Sequence, residues 1–277
     1  MSIRWVASSF RAVDSVWKNY ASLHSFFFTN ASHDESRESR ERSVFQGLAA
    51  KLEDTTFINN LGIMMDALSE LSILSQSLQE ETMPLPRANK LLHRTREVFK
   101  SHKERGGIHW REAQQAVQAR EFKGVPLKVK ESRNHPNEIN RGQFYESVIT
   151  NLSRRCMTEK DTKYTEMMKI LFTEQWPDDI SVDYGEEELR ELCDLFSLCY
   201  REIIQPFRDF KDSGGKRVPD ALKKLLKCVH TIPVSNAECE RGFSLMNNIV
   251  TPTRNALLIE NVSSLMTINS CGPPIAH

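Results

Sequence analysis

The sequence has little that would anchor it in a membrane, cross-link it, or give it a field of one sign. Its apolar runs are short and broken by polar residues, and none approaches the ~18 residues needed to cross a bilayer. Lys+Arg and Asp+Glu each number 37, so the formal net charge is zero. That balance excludes a globally basic nucleic-acid binder and an acidic-tail protein. Six cysteines lie at 156, 193, 199, 228, 239 and 271, and no C-x-x-C pair occurs among them. Zinc-finger spacing is therefore excluded, and the scatter reads as reduced intracellular thiols. Cys228, His230 and Cys239 are the set that metal chemistry would allow. Core packing is the commoner role of such cysteines, so neither metal nor cofactor is expected. The chain does not open on a charged, then apolar, then small-residue pattern, so no secretory signal is expected. G-x-S-x-G, H-E-x-x-H and P-loop patterns are also missing, and no small-molecule substrate is expected.

What the sequence does have is helical periodicity. Its 277 residues, 39% hydrophobic and 27% charged, suffice for a substantial core. Val6, Phe10, Val13, Trp17, Tyr20 and Phe27 recur at steps that give one apolar stripe. The segment around 30–42 is polar, Ser-rich and charged and is expected to contain a loop. Phe57, Leu61, Met64, Leu68, Leu71, Ser75 and Leu78 then alternate steps of four and three, a seam ended by Pro84 and Pro86. Ser75 on that seam favours a core helix of a bundle over a free coiled coil. Another helix is expected over 87–105, stopped by Gly106-Gly107. Residues 122–140, with Gly124, Pro126 and Pro136, read as irregular. Further helical faces follow: Phe144, Val148 and Leu152, then Met167, Met168, Leu171 and Phe172. After the Trp176-Pro177 break, Leu189, Leu192, Phe196, Cys199 and Ile203 predict one helix stopped near Pro206. Past Gly214-Gly215 come Leu222, Leu225, Leu226 and Val229. The best strand candidates are 125–129 and 231–234. The expected fold class is mainly α, with few short strands: a multi-helix, bundle-like domain over 1–215 and a helical region over 216–277.

Charge is balanced overall but segregated along the chain. Residues 87–135 hold 13 Lys/Arg against 5 Asp/Glu, and residues 174–194 hold 9 Asp/Glu against 1 Arg. The basic stretch also carries His93, His102, His109 and His135, with Phe99 and Trp110 interleaved. Such a stretch can contact phosphate and stack on bases, or be a solvated helix face. Acidic groups at Asp178-Asp179 and Glu186–Glu188 are expected at helix starts, where they favour the dipole.

The most specific pattern lies near the C-terminus, Ile232-Pro-Val-Ser-Asn-Ala-Glu-Cys-Glu-Arg-Gly-Phe-Ser through Arg254-Asn255-Ala-Leu257. Ser235 is placed as an N-cap, and Glu238 three residues on completes a capping box. Thr251-Pro252 ends that helix. Ile259, Val262, Leu265 and Met266 mark one more, ended by Gly272-Pro273-Pro274.

This stretch resembles the C-terminal dimerisation region of hAT-superfamily transposases and of host proteins domesticated from them. The residues that carry the resemblance are Ser235, Glu240-Arg241, Phe243-Ser244, Arg254-Asn255 and the apolar positions Val262, Leu265 and Ile268. Arg4-Trp5, opening an amphipathic helix, is similar to the Arg-Trp motif of the family's helical insertion domain. The resemblance implies an insertion-type domain over 1–215 and, over 216–277, the helical remnant of an RNase H-like domain. In the family, two aspartates and one glutamate hold two metals for phosphoryl transfer. Glu240 is the counterpart of the glutamate. Both aspartates lie upstream of the Arg-Trp motif in the family, so this chain is expected to lack them, with Glu240 vestigial and no transposase catalysis. The implied function is protein dimerisation, with a homodimer or a related hAT-derived chain as partner and nuclear residence. Phe243, Met246, Ile249, Leu257, Val262, Leu265 and Met266 are the expected dimerisation residues, some buried within the subunit and some between subunits. Two alternatives remain at this point: a nucleic-acid-binding remnant acting through 87–135, and a SUMO E3 ligase-like factor, after the vertebrate domesticated group the chain is most similar to.

Overall fold

A computed structural model of the chain describes residues 3–32, 39–80, 83–129, 138–156, 159–232, 234, 237–251, 253–254 and 256–271. Side chains are described for these residues except 3–5, 32, 159–161, 237–241 and 270–271. The fold is mainly α, as expected, and its contacts divide into two units: 1–77 with 86–188, and 78–85 with 189–277.

The first unit is built around α4 (Thr55–Ser77), into which the predicted seam falls. The helix is buried on more than one face. Ile58, Leu61 and Met65 join one cluster with Trp17 and Tyr20, from α1 (Ile3–Lys18) and α2 (Tyr20–Ser32). Ile63 and Ala67 join another with Phe99 of α5 (Leu85–Arg105) and with Tyr145 and Ile149 of α7 (Arg141–Cys156). A helix apolar on several faces belongs in the centre of a bundle, and that is its place in this unit. The single N-terminal stripe is divided between α1 and α2, which break at Asn19. α3 (Ser39–Leu52) packs on α2, and the Tyr20 hydroxyl donates to the Leu52 carbonyl at 2.6 Å.

α6 (Ile108–Ala119) carries too little periodic hydrophobicity to be expected, because its core positions are the alanines 113 and 116. It forms because α4 provides room and a cap. A Cβ on Gly62 would come within 2.9 Å of the His109 carbonyl oxygen and the Trp110 Cα, so only glycine lets the two helices approach this closely. Asp66 supplies the cap described below. After α6, β1 (Glu121–Phe122) and β2 (Val125–Pro126) pair antiparallel, with Phe122 opposite Val125. The two turn residues, Lys123 and Gly124, both have positive φ, as a two-residue hairpin of the right twist requires. α8 (Glu159–Lys169) and a short 3-10 turn (Thr173–Gln175) complete the helical elements of this unit.

The second unit holds α9 (Glu186–Leu195) from Leu189 onward, α10 (Tyr200–Asp212), α11 (Asp220–His230), α12 (Ala237–Ile249) and α13 (Ile259–Cys271). The expectation of one helix ending near Pro206 is corrected. The break falls at 196–199, where Ser197 turns left-handed at φ 54°, and Pro206 lies inside α10. Pro206 forfeits only the bond to the carbonyl of Glu202, an exposed residue in the first turn, while buried Ile203, Phe207 and Phe210 hold the helix down. Gly214 and Gly215 both adopt positive φ. Their N–H groups close the end of α10 on the carbonyls of Lys211 and Phe210, at 2.8 and 2.9 Å. Leu222, Leu225 and Val229 on α11 are buried, and α11 packs on α10.

Two smaller expectations also change. Residues 231–232 form a turn rather than a strand, since the Ile232 N–H returns to the Val229 carbonyl. Glu186–Glu188 do lie in the first turn of α9, but Asp178-Asp179 sit in a bend remote from any helix start. Ser235, Pro252, Asn255 and Gly272–Pro274 lie outside the described residues, as do the side chains of Arg4, Trp5, Glu238, Glu240 and Arg241.

Candidate dimerisation surface

The charges of α12 are confined to its start, at Glu238, Glu240 and Arg241, and beyond them the C-terminal helices are poor in charge. Over residues 242–271 only Arg254 and Glu260 are charged, two in thirty, in a chain that is 27% charged. Surface helices ordinarily carry charge on the face turned to water. Loss of charge together with exposed apolar side chains is the composition of an interface core.

α12 and α13 pack on each other, and a Cβ on Gly242 would lie 3.9 Å from the Met266 Cε, an ordinary contact distance. Ile249 and Val262 are buried. Met246, Leu257, Leu265 and Met266 are half-buried, and Phe243 is 63% exposed. The seven residues expected from the sequence thus separate. Ile249 and Val262 are covered, Phe243 faces outward, and the other four are partly covered, with Met266 beside Gly242. The sequence reading omitted Val250 and Leu258 from this set and did not include Ile259 or Ile268. All four are exposed, with Leu258 at 66%, Ile259 at 84% and Ile268 at 64%. The spacing to Val262 and Met266 marks Ile259 as a helix-face residue, but which apolar positions turn outward depends on the backbone, and Leu258, outside the helix, has no periodic partner in sequence.

Two polar groups on α13 are turned back on its own backbone. Thr267 Oγ1 donates to the Ser263 carbonyl and Asn269 Nδ2 to the Leu265 carbonyl, at 3.0 and 3.1 Å. Such internal bonds leave fewer side-chain donors that a covering chain would have to satisfy. The connection between the helices is ordered by the Arg254 N–H on the Thr251 carbonyl at 2.8 Å and by the Thr251–Thr253 hydroxyl pair. Arg254 itself is exposed.

The other candidate sites fare differently. Among the described residues, no three His, Cys, Asp or Glu side chains are grouped to hold a metal ion. No described helix is long and apolar enough to cross a membrane. In the basic stretch, the expected stacking platform is overturned. Phe99 is fully buried against Tyr145, and the Arg141 guanidinium covers the Trp110 ring at 4.0 Å. The outer face of α5 is nonetheless basic, with Arg87, Lys90, His93, Arg94 and Lys100 exposed. The partial desolvation of His93 by its neighbours, with Arg96 and Lys169 alongside, pushes its imidazole below its usual range.

His109, expected in the same basic stretch, belongs to the architecture. Asp66 Oδ1 accepts from the His109 N–H at 3.0 Å and lies 2.8 Å from the His109 Nδ1, while Oδ2 accepts from the Trp110 N–H at 3.0 Å. Burial alone would raise this carboxyl. The hydrogen bonds from the His109 ring and from the two N–H groups outweigh it and hold Asp66 below the usual carboxylate range. A residue from α4 thereby satisfies the free N–H groups at the start of α6.

Residues 215–271 match the model of the hAT family C-terminal dimerisation region. The match spans α11, α12 and α13 and supports a dimerisation role for this segment. No solved structure matches the chain.

Proposed function

We propose that the chain is a hAT-transposase-related interaction protein whose C-terminal helices pair with a second copy or with a related chain. The observation that carries this reading is a coincidence. The segment that matches a dimerisation region is also the one that carries only Arg254 and Glu260 as charges over residues 242–271 and leaves Phe243, Leu258, Ile259 and Ile268 uncovered. Burial of four such side chains against a partner is worth on the order of 1.5–3 kcal/mol each before the cost of association is set against it. The reading gives the chain a binding role and no catalytic step. Nuclear residence and descent from a domesticated element belong to the same proposal and rest on the resemblance. Two differently tagged copies produced together provide the test. Capture of one should retain the other, and Ile259→Asp with Ile268→Asp in both should abolish retention. Equal retention by the variant removes the C-terminal surface as the site.

The outer face of α5 supports a second reading, contact with a nucleic-acid backbone. Lys90 and Arg94 are exposed one helical turn apart, with His93 beside them. The contact would be made through phosphate alone, since Phe99 and Trp110 are covered. Binding to a DNA duplex should then fall steeply with salt, and Lys90→Glu with Arg94→Glu should weaken it. Absence of binding at about 50 mM salt retires this reading.

A further inference from the structure

The two charges over residues 242–271, Arg254 and Glu260, are opposite in sign, and both side chains are exposed. Among the described residues neither side chain has an ionic partner, and the two do not pair with each other. Their backbones are nonetheless fixed. The Arg254 N–H is held on the Thr251 carbonyl at 2.8 Å. The Leu258 carbonyl accepts from the Asn261 and Val262 N–H groups at 3.0 and 3.1 Å, which puts Leu258 at the cap of α13 and Glu260 in its first turn. The helix dipole is a local reason for a carboxylate there. It gives no reason for Arg254, which belongs to neither helix.

The exposed apolar side chains fall at two ends of the helix pair. Gly242 lies beside Met266, so Phe243 and Ile268 belong to the open end, where the chain enters α12 and leaves α13. Val250, Leu258 and Ile259 belong to the closed end, at the connection. Along the chain Leu258 and Ile259 lie between Arg254 and Glu260. The closed end thus carries an apolar patch with one cation and one anion beside it.

We infer that the closed end sets the specificity of the dimerisation surface: a second copy meets it across a two-fold axis, and the Arg254 guanidinium of each chain pairs with the Glu260 carboxylate of the other. The inference rests on the dimerisation reading of these helices. In a two-fold contact residue i meets residue j and j meets i. A cation and an anion beside one apolar patch are therefore self-complementary, and a single sequence supplies two ion pairs. Leu258 and Ile259 lie near the axis and cover their own counterparts. An apolar patch alone fixes neither register nor partner. Opposite charges at its rim fix both, because a copy in the wrong register, or a chain with other signs at these positions, sets like charges together. Exposed pairs add little to total affinity, so the effect is one of partner choice.

Sedimentation equilibrium of the full chain at low ionic strength tests this with Arg254→Glu, with Glu260→Arg, and with a 1:1 mixture of the two variants. Each variant alone sets like charges together twice in its dimer. Its self-association Kd should rise about tenfold, with unchanged far-UV circular dichroism because both positions are exposed. In the mixture every carboxylate of one chain meets a cation of the other, and association should return to within about threefold of the wild type. Both effects should shrink at about 1 M salt. Weakened association in each variant without recovery in the mixture would assign the loss to a pairing within one chain or to the helix dipole, and would overturn the inference. Variants that associate as the wild type does would also overturn it. If Ile259→Asp/Ile268→Asp still weakens association in that case, the C-terminal surface stands without this pairing. A wild-type chain that is monomeric at every concentration removes the dimerisation reading and the pairing with it.

Discussion

α4 with α6, and α12 with α13, are two helix pairs that solve the same packing problem differently. In the first, apolar residues are enclosed from several sides. Ile58, Ile63, Met65, Ala67 and Leu68 are all buried, Gly62 admits the neighbour's backbone, and Asp66 caps it. In the second, Ile249 and Val262 are buried, while Phe243, Leu258, Ile259 and Ile268 remain in water. Both pairs are apolar in sequence. The difference lies in what surrounds them: the first is complete within its unit, and the second retains a face whose composition suits another chain.

That comparison can be broken from either side. The largest effect is expected in the enclosed region. Phe99 is fully buried against Tyr145, so Phe99→Ala should cost about 3–5 kcal/mol, read from urea denaturation. The folded fraction should associate as the wild type does. Next, Asp66→Ala strips two N–H groups and a histidine of their acceptor and should cost about 2–4 kcal/mol in the same measurement. A cost below about 0.5 kcal/mol would mean that water replaces the cap freely. In the open region, Ile259→Asp should change stability by no more than about 0.5 kcal/mol, as for an exposed site. A cost as large as that of Phe99→Ala would show that the side chain is core after all.

The smallest effect concerns pH. The Asp66 carboxyl is lowered in the folded chain from its ordinary 3.8. Its contribution to stability is therefore fully present above that value and is lost as pH falls through the lowered native value. Asp66→Asn should flatten this part of the acid limb of a stability–pH curve while leaving the curve near neutrality parallel to the wild type. An acid limb unchanged by the substitution would assign acid unfolding to other carboxylates, with Glu53 the next to examine. Burial would raise that carboxyl, but the hydrogen bonds from Lys128 and His24 lower it.

The sequence revealed long periodic helices better than short or alanine-faced ones. The α4 seam, the stop at Gly106-Gly107 and the turn at Gly214-Gly215 could be read directly, because period and glycine are local signals. α6 could not, since Ala113 and Ala116 give little hydrophobic contrast and its cap comes from Asp66, more than forty residues earlier. Pro206 misled because the bond it forfeits is to the exposed Glu202 carbonyl, which water can reach, whereas buried Phe207 and Phe210 are the stronger constraint. The C-terminal segment could be recognised by motif, but its division into inward and outward residues depended on how α12 lies on α13. The basic stretch shows the same limit in reverse. Its charges and aromatics alternate in sequence, yet Phe99 and Trp110 are covered while Lys90 and Arg94 face outward.

The most direct test of the central claim is the solution mass of the full chain by light scattering over a range of concentrations, beside Leu258→Asp/Ile259→Asp. The account predicts a wild-type mass that rises from one chain towards two, and a variant that has the same circular dichroism and a mass nearer that of one chain. A wild type that stays at the mass of one chain throughout, or a variant that associates as tightly as the wild type, would contradict it.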